Sequence, residues 1–280
     1  MNNDLMISVI TPVYNGEHFI ESCIKVVVDQ KCLNVEHIIV DGGSSDLTVE
    51  IVKQYAEQYP HIRWISEADQ GQSDAMNKGV KMSRGDIIGM LNVDDFYEPD
   101  VLVRILEIFQ MLPDPSLLVG NCNLLDEHDQ IKYINKPSDL RFIKLLTQQC
   151  EFPINPSAYF YHKSIHHKIG DYPINEHYMM DLDFILKAVQ NSNTKYMNEL
   201  WGNHRQIEGT KTVSLLNSGH HREHLLNLLL KHRQNLSIYL RTLAMIEADI
   251  IPRFGFVVDC LNRLSPSLAK KIRKWRYEID

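Results

Sequence analysis

The chain has 280 residues, a formal net charge of −7 at pH 7 and 44% apolar residues. This length accommodates one large domain, or one domain with an appendage, and the acidic balance excludes a general nucleic-acid-binding protein. The five cysteines are scattered without C-x-x-C spacing, which indicates a reducing compartment and no zinc centre. Without a secretory leader or an apolar run of about 18 residues, we expect a cytoplasmic protein.

Short apolar runs alternate with amphipathic segments in the first 120 residues. The short apolar runs predict strands, and the amphipathic segments, with apolar residues at helical spacing, predict helices. In chain order, the predicted elements are strand 6–10, helix 19–27, strand 35–40, helix 47–59, strand 61–66, helix 73–82, strand 86–91, helix 99–112 and strand 117–120. This alternation predicts a parallel α/β sheet covered by helices on both faces.

The alternation is less regular in the second half of the chain. The predicted elements there are strands at 131–134 and 158–161, helices at 140–146 and 181–189, and a helical region from residue 220. We therefore expect one domain of residues 1–212, with halves 1–120 and 121–212, followed by a helical C-terminal region of residues 213–280.

Polar loops follow four of the predicted strands, at 11–15, 41–46, 67–71 and 92–95. The carboxyl ends of parallel strands form the ligand-binding edge of an open sheet. No glycine-rich phosphate-binding loop follows the first strand, so a bound phosphate would need another counter-charge. Asp94 and Asp95 could hold a divalent cation for that purpose, or one of them could cap the helix that follows.

Two further loop residues allow more than one interpretation. Asp41 precedes Gly42 and Gly43, which are typical of a tight turn. The glycines do not explain the acid, whose carboxylate could accept the N–H of a nucleobase. Tyr14 could stack on a base or simply pack against the protein.

Five segments of the chain stand in the order and spacing of a known family. They are Thr-Pro-Val-Tyr-Asn at 11–15, Val-Asp-Gly-Gly-Ser-Ser-Asp at 40–46, Asp-Ala-Met-Asn-Lys-Gly at 74–79, Gly-Asp at 85–86 and Leu-Asn-Val-Asp-Asp at 91–95. Together they resemble the family 2 glycosyltransferases of GT-A fold, over roughly residues 6–210. The resemblance implies a Rossmann-like, mostly parallel sheet flanked by helices, to which the predicted C-terminal helices form an appendage.

The resemblance also implies a binding site for a nucleotide-sugar donor. Asp41 would contact the base of the nucleotide, and Thr11, Pro12 and Tyr14 would line the nucleotide pocket. The chain departs from the family pattern at Gly42, where many members have a second acid.

The same resemblance identifies the acids after the fourth strand as a D-x-D-type element. Asp94 and Asp95 would bind a divalent cation, Mn²⁺ or Mg²⁺, and Asn92 and Asp94 would contact the donor. Asn92 is a second departure, since the family often has an aspartate at this position.

Transfer with inversion also needs a carboxylate opposite the leaving diphosphate, to act as general base. The resemblance places this base at Asp181, with Met180 replacing the acid that precedes it in the family. On the residues alone, Asp181 could instead be a helix N-cap, and Asp183 is expected to be structural. Arg205 could bind the diphosphate or be an ordinary surface arginine.

The resemblance implies an inverting, metal-assisted glycosyltransferase. It would move one sugar from a nucleotide-sugar, expected to be a UDP-sugar, to a saccharide or lipid-linked acceptor in bacterial surface polysaccharide assembly. The Gln-x-x-Arg-Trp motif of processive members is absent from the sequence. The alternatives are a nucleotidyltransferase and a catalytically inactive nucleotide-sugar-binding module, the latter favoured by the departures at Gly42, Asn92 and Met180.

The C-terminus is basic and contains Lys270, Lys271, Arg273, Lys274 and Arg276. A helical appendage of this kind could pack on the main domain or on a second subunit of a homo-oligomer. Alternatively, its charge could mediate peripheral contact with the anionic inner face of the membrane, where a lipid-linked acceptor would lie.

Overall fold

The computed structural model describes residues 5–236. The strands are β1 (Ile7–Val13), β2 (Val35–Asp41), β3 (Ile62–Ser66), β4 (Ile87–Met90), β5 (Phe96–Tyr97), β6 (Ser116–Leu125), β7 (Ile131–Asn135), β8 (Tyr159–His162) and β9 (Asn193–Arg205). The helices are α1 (Ile20–Asp29), α2 (Thr48–Gln58), α3 (Gln72–Met82), α4 (Val101–Phe109), α5 (Phe142–Leu146), α6 (Ile165–Ile169), α7 (Met180–Asn191), α8 (Lys211–Ser218) and α9 (His221–Gln234). A short 3₁₀ helix, Pro156–Ala158, precedes β8.

All of the described strands belong to one sheet, in the order β3-β2-β1-β4-β8-β6-β9-β5, with β7 paired to β6. The first four strands pair in parallel. β8 runs antiparallel to both β4 and β6, and β9 runs parallel to β6. The predicted α/β fold is confirmed, and the second half of the chain extends the parallel sheet with a mixed one.

Every element predicted in the first 120 residues is present, with its ends moved by a few residues. β1 and β2 are buried along their whole length, which explains why their apolar residues do not alternate with exposed polar ones. α1 buries Cys23, Ile24 and Val27 on one side, as its helical spacing predicts. The two residues of β5 are too few to show a periodicity. The first eight residues of β9 are partly buried or exposed, so they form no buried apolar run.

The described part of the C-terminal region packs on the main domain. Leu215 of α8 and Leu228 of α9 are buried in the same apolar cluster as Ile185 of α7. The domain boundary expected after residue 212 falls within α8 and stays a prediction. Residues 237–280, including the basic segment expected to contact a membrane, lie outside the described residues. Within the described part of the chain, no helix has the length and apolar content needed to cross a bilayer.

A buried carboxylate joins three segments at the amino ends of the strands. Glu36 of β2 accepts hydrogen bonds from the Ser8 hydroxyl (2.6 Å) and the Arg84 amide (2.5 Å), and it pairs with the Arg63 guanidinium (2.7 Å). Burial alone would raise the pKa of Glu36, but these partners outweigh it and lower the pKa below its ordinary value. The ionised form therefore stabilises this end of the sheet, opposite the polar loops.

We expect Glu36→Gln to lower the free energy of unfolding at pH 7 by about 2 kcal/mol, because a neutral amide replaces the buried charged acceptor. Since the pKa of Glu36 is lowered in the fold, its contribution is present above the ordinary value of 4.5 and is lost as the pH falls through the folded value. Urea denaturation at pH 7 and at low pH measures both effects.

Glu21→Gln is the matched control, since Glu21 is exposed and also pairs with a cation, Lys25, at 2.7 Å. We expect no measurable loss of stability in this variant. Equal losses in the two variants would contradict the role assigned to burial.

Candidate active site

A cavity of about 560 Å³ opens at the carboxyl ends of β1 and β4. Pro12 and Tyr14 line it from the end of β1 and the loop after it, and Asn92 and Asp94 line it from the loop after β4. The side chain of Tyr14 is 65% exposed, so its ring is accessible to a ligand in the cavity. We call this space the first cavity.

Two residues that the resemblance assigns to this pocket lie behind its wall. Thr11 is fully buried and bonds a histidine of β2 at 2.9 Å. The buried carboxylate of Asp41 accepts hydrogen bonds from the amides of Gly43 and Ser44, both at 3.0 Å, and from the hydroxyls of Ser44 and Ser66. These donors saturate the carboxylate, so Asp41 shapes its own loop. Neither Thr11 nor Asp41 lines the first cavity.

Asp69 occupies the space that a side chain at position 42 would need. A Cβ placed on Gly42 would lie 2.6 Å from Oδ2 of Asp69. Asp69 also lines the first cavity, so a carboxylate is present there although residue 42 supplies none. The sequence shows Asp69 only as one of several polar residues in a loop, because loop residues carry no periodicity that tells which of them face inward.

Asp95 is buried and joins three segments of the chain. Its Oδ1 accepts hydrogen bonds from Nδ1 of His204 (3.0 Å) and the amide of Arg205 (3.1 Å). Its Oδ2 accepts hydrogen bonds from Nδ2 of Asn92 (2.9 Å) and Nδ2 of Asn155 (2.7 Å). With both oxygens saturated by protein donors, Asp95 holds the surrounding loops together and lines neither this cavity nor the one described below.

The side chain of Asn92 explains why an amide stands at this position. Its Nδ2 donates to Asp95, and its Oδ1 accepts a hydrogen bond from Nε2 of Gln72 at 3.0 Å. An ionised aspartate at position 92 could not donate, and it would bring a second negative charge to the 2.9 Å contact with Asp95. A neutral residue at position 92 therefore suits the buried charge at position 95.

The carboxylate of Asp94, unlike that of Asp95, faces a cavity. It lines the first cavity, and Arg205 donates to its main-chain carbonyl (3.2 Å) and not to its carboxylate. Burial, followed by the charge of Asp95, raises the pKa of Asp94. A cation bound at this carboxylate would favour its ionised form. No group of three or more His, Cys, Asp or Glu side chains in the described part of the chain forms a metal cage. Asp94 thus presents one carboxylate to the first cavity.

His204 and Arg205 are adjacent in the sequence, but their side chains have different surroundings. The Arg205 guanidinium pairs with Asp129 (2.7 Å) and lies over the ring of Phe96 (4.5 Å), and it lines neither cavity. His204 lines the first cavity. Burial alone would lower the pKa of His204, but the hydrogen bond and charge of Asp95 outweigh it and raise the pKa. His204 thus places an imidazole with a raised pKa on the wall of the cavity, where the sequence places Arg205.

A second cavity of about 350 Å³ adjoins the first. Both cavities are lined by Gln72, Asn92, His204 and Lys211, which form a shared wall. Asp181 lines the second cavity only. Lys211 and Gln72 are not predicted from the sequence as site residues, because no motif marks a residue that reaches a site through tertiary packing.

Asp181 is the second residue of α7 and is partly buried. Burial raises its pKa to about 6, and a hydrogen bond from the Tyr159 hydroxyl (3.3 Å) opposes the rise. The preceding residue, Met180, is buried and its sulfur lies 2.9 Å from Oγ of Ser73 in α3. An acid at position 180 would be buried against α3, which accounts for the third departure from the family pattern.

The alternative interpretation of these acids as helix caps is wrong. α4 begins at Val101 with Asp100 at its N-cap position, beyond Asp94 and Asp95. α7 has Met179 at its N-cap position, so Asp181 already lies within the helix. Neither helix has a hydrogen bond from an N-cap side chain.

Comparisons with known proteins agree on one family. The model of the family described as "Glycosyl transferase family 2" matches residues 8–169. The uncharacterised glycosyltransferase YibD of Escherichia coli (strain K12) is 34% identical over 123 residues, which are 44% of this chain and 35% of YibD. This chain therefore matches about a third of the length of that relative.

Two solved structures share the fold. S. aureus TarS 1-349 in complex with UDP-GlcNAc has a TM-score of 0.68 and 17% identity, over 93% of this chain and 76% of that one. The mannosyltransferase PcManGT from Pyrobaculum calidifontis, in complex with GDP-Man and Mn²⁺, has a TM-score of 0.61 and 16% identity, over 99% and 81%. These likenesses confirm the predicted GT-A architecture.

Because Asp95 is hydrogen-bonded by the protein and Asp94 faces a cavity, substitutions of the two residues should differ in their effect on stability. We expect Asp95→Asn to lower the free energy of unfolding by about 3 kcal/mol, because it removes a buried charge that four donors stabilise. Asp94→Asn should leave stability unchanged or raise it slightly, since it relieves the repulsion between the two carboxylates. Urea denaturation of the two variants measures the difference, and a larger loss in Asp94→Asn would contradict the assignment.

Proposed function

Because this chain belongs to glycosyl transferase family 2, we propose that it transfers a single sugar, with inversion, from a nucleotide-sugar to an acceptor hydroxyl. The observation that carries the proposal is the pair of adjoining cavities, with Asp94 on one and Asp181 on the other. A donor in the first cavity and an acceptor in the second would meet at their shared wall. Inversion suits this arrangement, because the base and the leaving group would lie on opposite sides of the transferred sugar.

The first cavity is the proposed donor site. Tyr14 offers its exposed ring to the base of the nucleotide, and Asp69 offers a carboxylate to a base N–H. Thr11 and Asp41 support these loops from behind the wall. A UDP-sugar is the expected donor, and since TarS was solved with UDP-GlcNAc and PcManGT with GDP-Man, both nucleotides belong in an assay.

Asp94 is the proposed protein ligand of a divalent cation, Mn²⁺ or Mg²⁺. When bound, the cation would supply charge stabilisation to the departing diphosphate. The protein's part is to hold Asp94 at the cavity wall and to place the side chains of His204 and Lys211 on the same cavity. The role predicted for Asp95 as a second metal ligand is better replaced by a supporting one, since its oxygens already accept four hydrogen bonds.

Asp181 is the proposed general base. Its carboxylate takes the proton of the acceptor hydroxyl while the acceptor oxygen forms a bond to the anomeric carbon. The bond from that carbon to the diphosphate oxygen breaks, and its electron pair leaves with the nucleoside diphosphate. The acceptor must therefore lie in the second cavity, next to Asp181.

The lining of the second cavity suits a saccharide or lipid-linked acceptor. Phe152 and Leu225 give it an apolar side, and His177, His221 and Lys211 give it polar and positively charged groups. The expected setting is bacterial surface polysaccharide assembly, with one transfer for each binding event. The inactive binding module is the weaker alternative, because the acids proposed for the cation and the proton both line their cavities.

We expect Asp181→Asn to lower the transfer rate by about 10²–10⁴-fold, because the amide cannot accept the hydroxyl proton. Binding of UDP should be unchanged, since Asp181 does not line the first cavity. Release of nucleoside diphosphate from a panel of UDP- and GDP-sugars, with Mn²⁺ and a saccharide or water as acceptor, measures the rate.

The matched control is Asp183→Asn, two residues along the same helix. Asp183 pairs with His232 (2.8 Å) and Lys187 (2.5 Å) and lines neither cavity, so this variant should lose stability but keep its rate within about threefold. Full activity of Asp181→Asn would remove it as the base. Failure of the wild type to release nucleoside diphosphate from any donor would favour the inactive binding module.

We expect Mn²⁺ to tighten UDP binding by about tenfold or more, because a cation held by Asp94 would offset the negative charge of the diphosphate. In Asp94→Asn, Mn²⁺ should give no gain over a buffer that contains EDTA. Calorimetric titration with UDP measures both proteins. Asp129→Asn is the control, since Asp129 pairs with Arg205 outside the cavities and should keep the gain. Equal binding of UDP to the wild type with Mn²⁺ and with EDTA would remove the metal role of Asp94.

A further inference from the structure

One hydrogen bond of Asp181 comes from a tyrosine that the reaction itself does not require. Tyr159 is fully buried in β8, and its hydroxyl lies 3.3 Å from Oδ1 of Asp181. Within the described residues, this carboxylate oxygen is the hydroxyl's hydrogen-bond partner. Because a buried hydroxyl without a partner is unfavourable, the position of Tyr159 and the orientation of Asp181 are linked.

We propose that Tyr159 is a positioning residue, whose hydroxyl holds Oδ1 of Asp181 so that Oδ2 is left to receive the acceptor proton. The proposal rests on the proposed role of Asp181 as general base. Tyr159 donates its hydroxyl hydrogen to the ionised carboxylate and keeps it throughout. The proton of the acceptor moves to the other oxygen, so no proton passes through Tyr159.

The ring of Tyr159 is held in place by an aromatic layer under α7. It stacks on Phe184, with ring centroids 6.1 Å apart, and Phe184 packs against Tyr161 at 4.5 Å and Tyr172 at 5.1 Å. All four rings are buried. A ring packed in this way has few alternative rotamers, so the hydroxyl is kept in one place beneath the cavity.

A second tyrosine of the same strand lacks this contact. The hydroxyl of Tyr161 lies 3.1 Å from the Tyr172 hydroxyl and 3.1 Å from Nε2 of His166. Tyr161 is as fully buried as Tyr159 and packs in the same aromatic layer. It therefore provides a matched control for the loss of a buried hydroxyl that does not bond Asp181.

Burial and several nearby charged groups also affect the pKa of Asp181. Burial raises the pKa of Asp181, the Tyr159 hydrogen bond and then the charge of Lys211 lower it, Asp95 raises it and His204 lowers it. The hydroxyl of Tyr159 favours the ionised form, since it donates to a carboxylate. Its removal should therefore raise the pKa of Asp181 further above its present value of about 6.

The test is a ¹³C NMR titration of the aspartate carboxyl groups in the full chain, between about pH 4 and 9, the range around a raised aspartate pKa. The Asp181 signal is assigned by its absence from Asp181→Asn. In Tyr159→Phe we expect its midpoint to rise by about 0.5–1 pH unit, the effect of losing one hydrogen bond to a charged group. In Tyr161→Phe we expect a change below about 0.2 unit. An unmoved midpoint in Tyr159→Phe, or equal shifts in both variants, would overturn the proposal.

Rate measurements give a second readout and separate this proposal from the proposed function. With the nucleotide-sugar that the wild type turns over fastest, the acidic limb of the rate profile should move to higher pH in Tyr159→Phe only. KM for the donor should stay unchanged in both variants, since neither residue lines the first cavity. An inactive Asp181→Asn with an unmoved limb in Tyr159→Phe rejects the positioning role alone, whereas a fully active Asp181→Asn rejects the base.

Discussion

The carboxylate of Asp95 accepts hydrogen bonds from residues that lie between 3 and 110 positions away in the sequence. An ionised carboxylate can be buried only if its oxygens are fully hydrogen-bonded or paired. The loop after β4, the segment before β8 and the end of β9 must therefore come together around it. Two of its partners, Asn92 and His204, form part of the wall between the cavities, so solvation of one buried charge sets the geometry of the site.

Contacts of α3 also join the first half of the chain to the second. Asn77 donates to the carbonyl of Tyr172 and accepts from its amide, both at 2.8 Å, and Ser73 contacts Met180 at the start of α7. These contacts fix the helix that supplies Gln72 against the helix that supplies Asp181. Part of the segment 74–79 that resembles the family is thus explained by the need to hold the two cavities in register.

The three departures from the family pattern each have a local reason. Gly42 leaves room for the carboxylate of Asp69, and the amide of Asn92 donates to the buried Asp95. Met180 is buried against Ser73. The first two missing acids are explained by a carboxylate that would occupy their space or repel them, and the third by the cost of burying a charge, so the departures are compatible with a working site.

The sequence by itself determined the strands and helices of the first half, because buried strands and one-sided helices leave apolar patterns within a few residues. It also indicated Pro12, Tyr14, Asn92 and Asp94 on one cavity and Asp181 on the other. Only the tertiary structure decided that Asp95 faces inward, that His204 takes the place expected of Arg205, and that Asp69 and Lys211 belong to the site. The physical reason is that the partners of Asp95 lie 60 to 110 residues away and are set by strand register, a distance over which local periodicity carries no information. Asp69 and Lys211 likewise reach the cavity through tertiary packing, which no sequence motif marks.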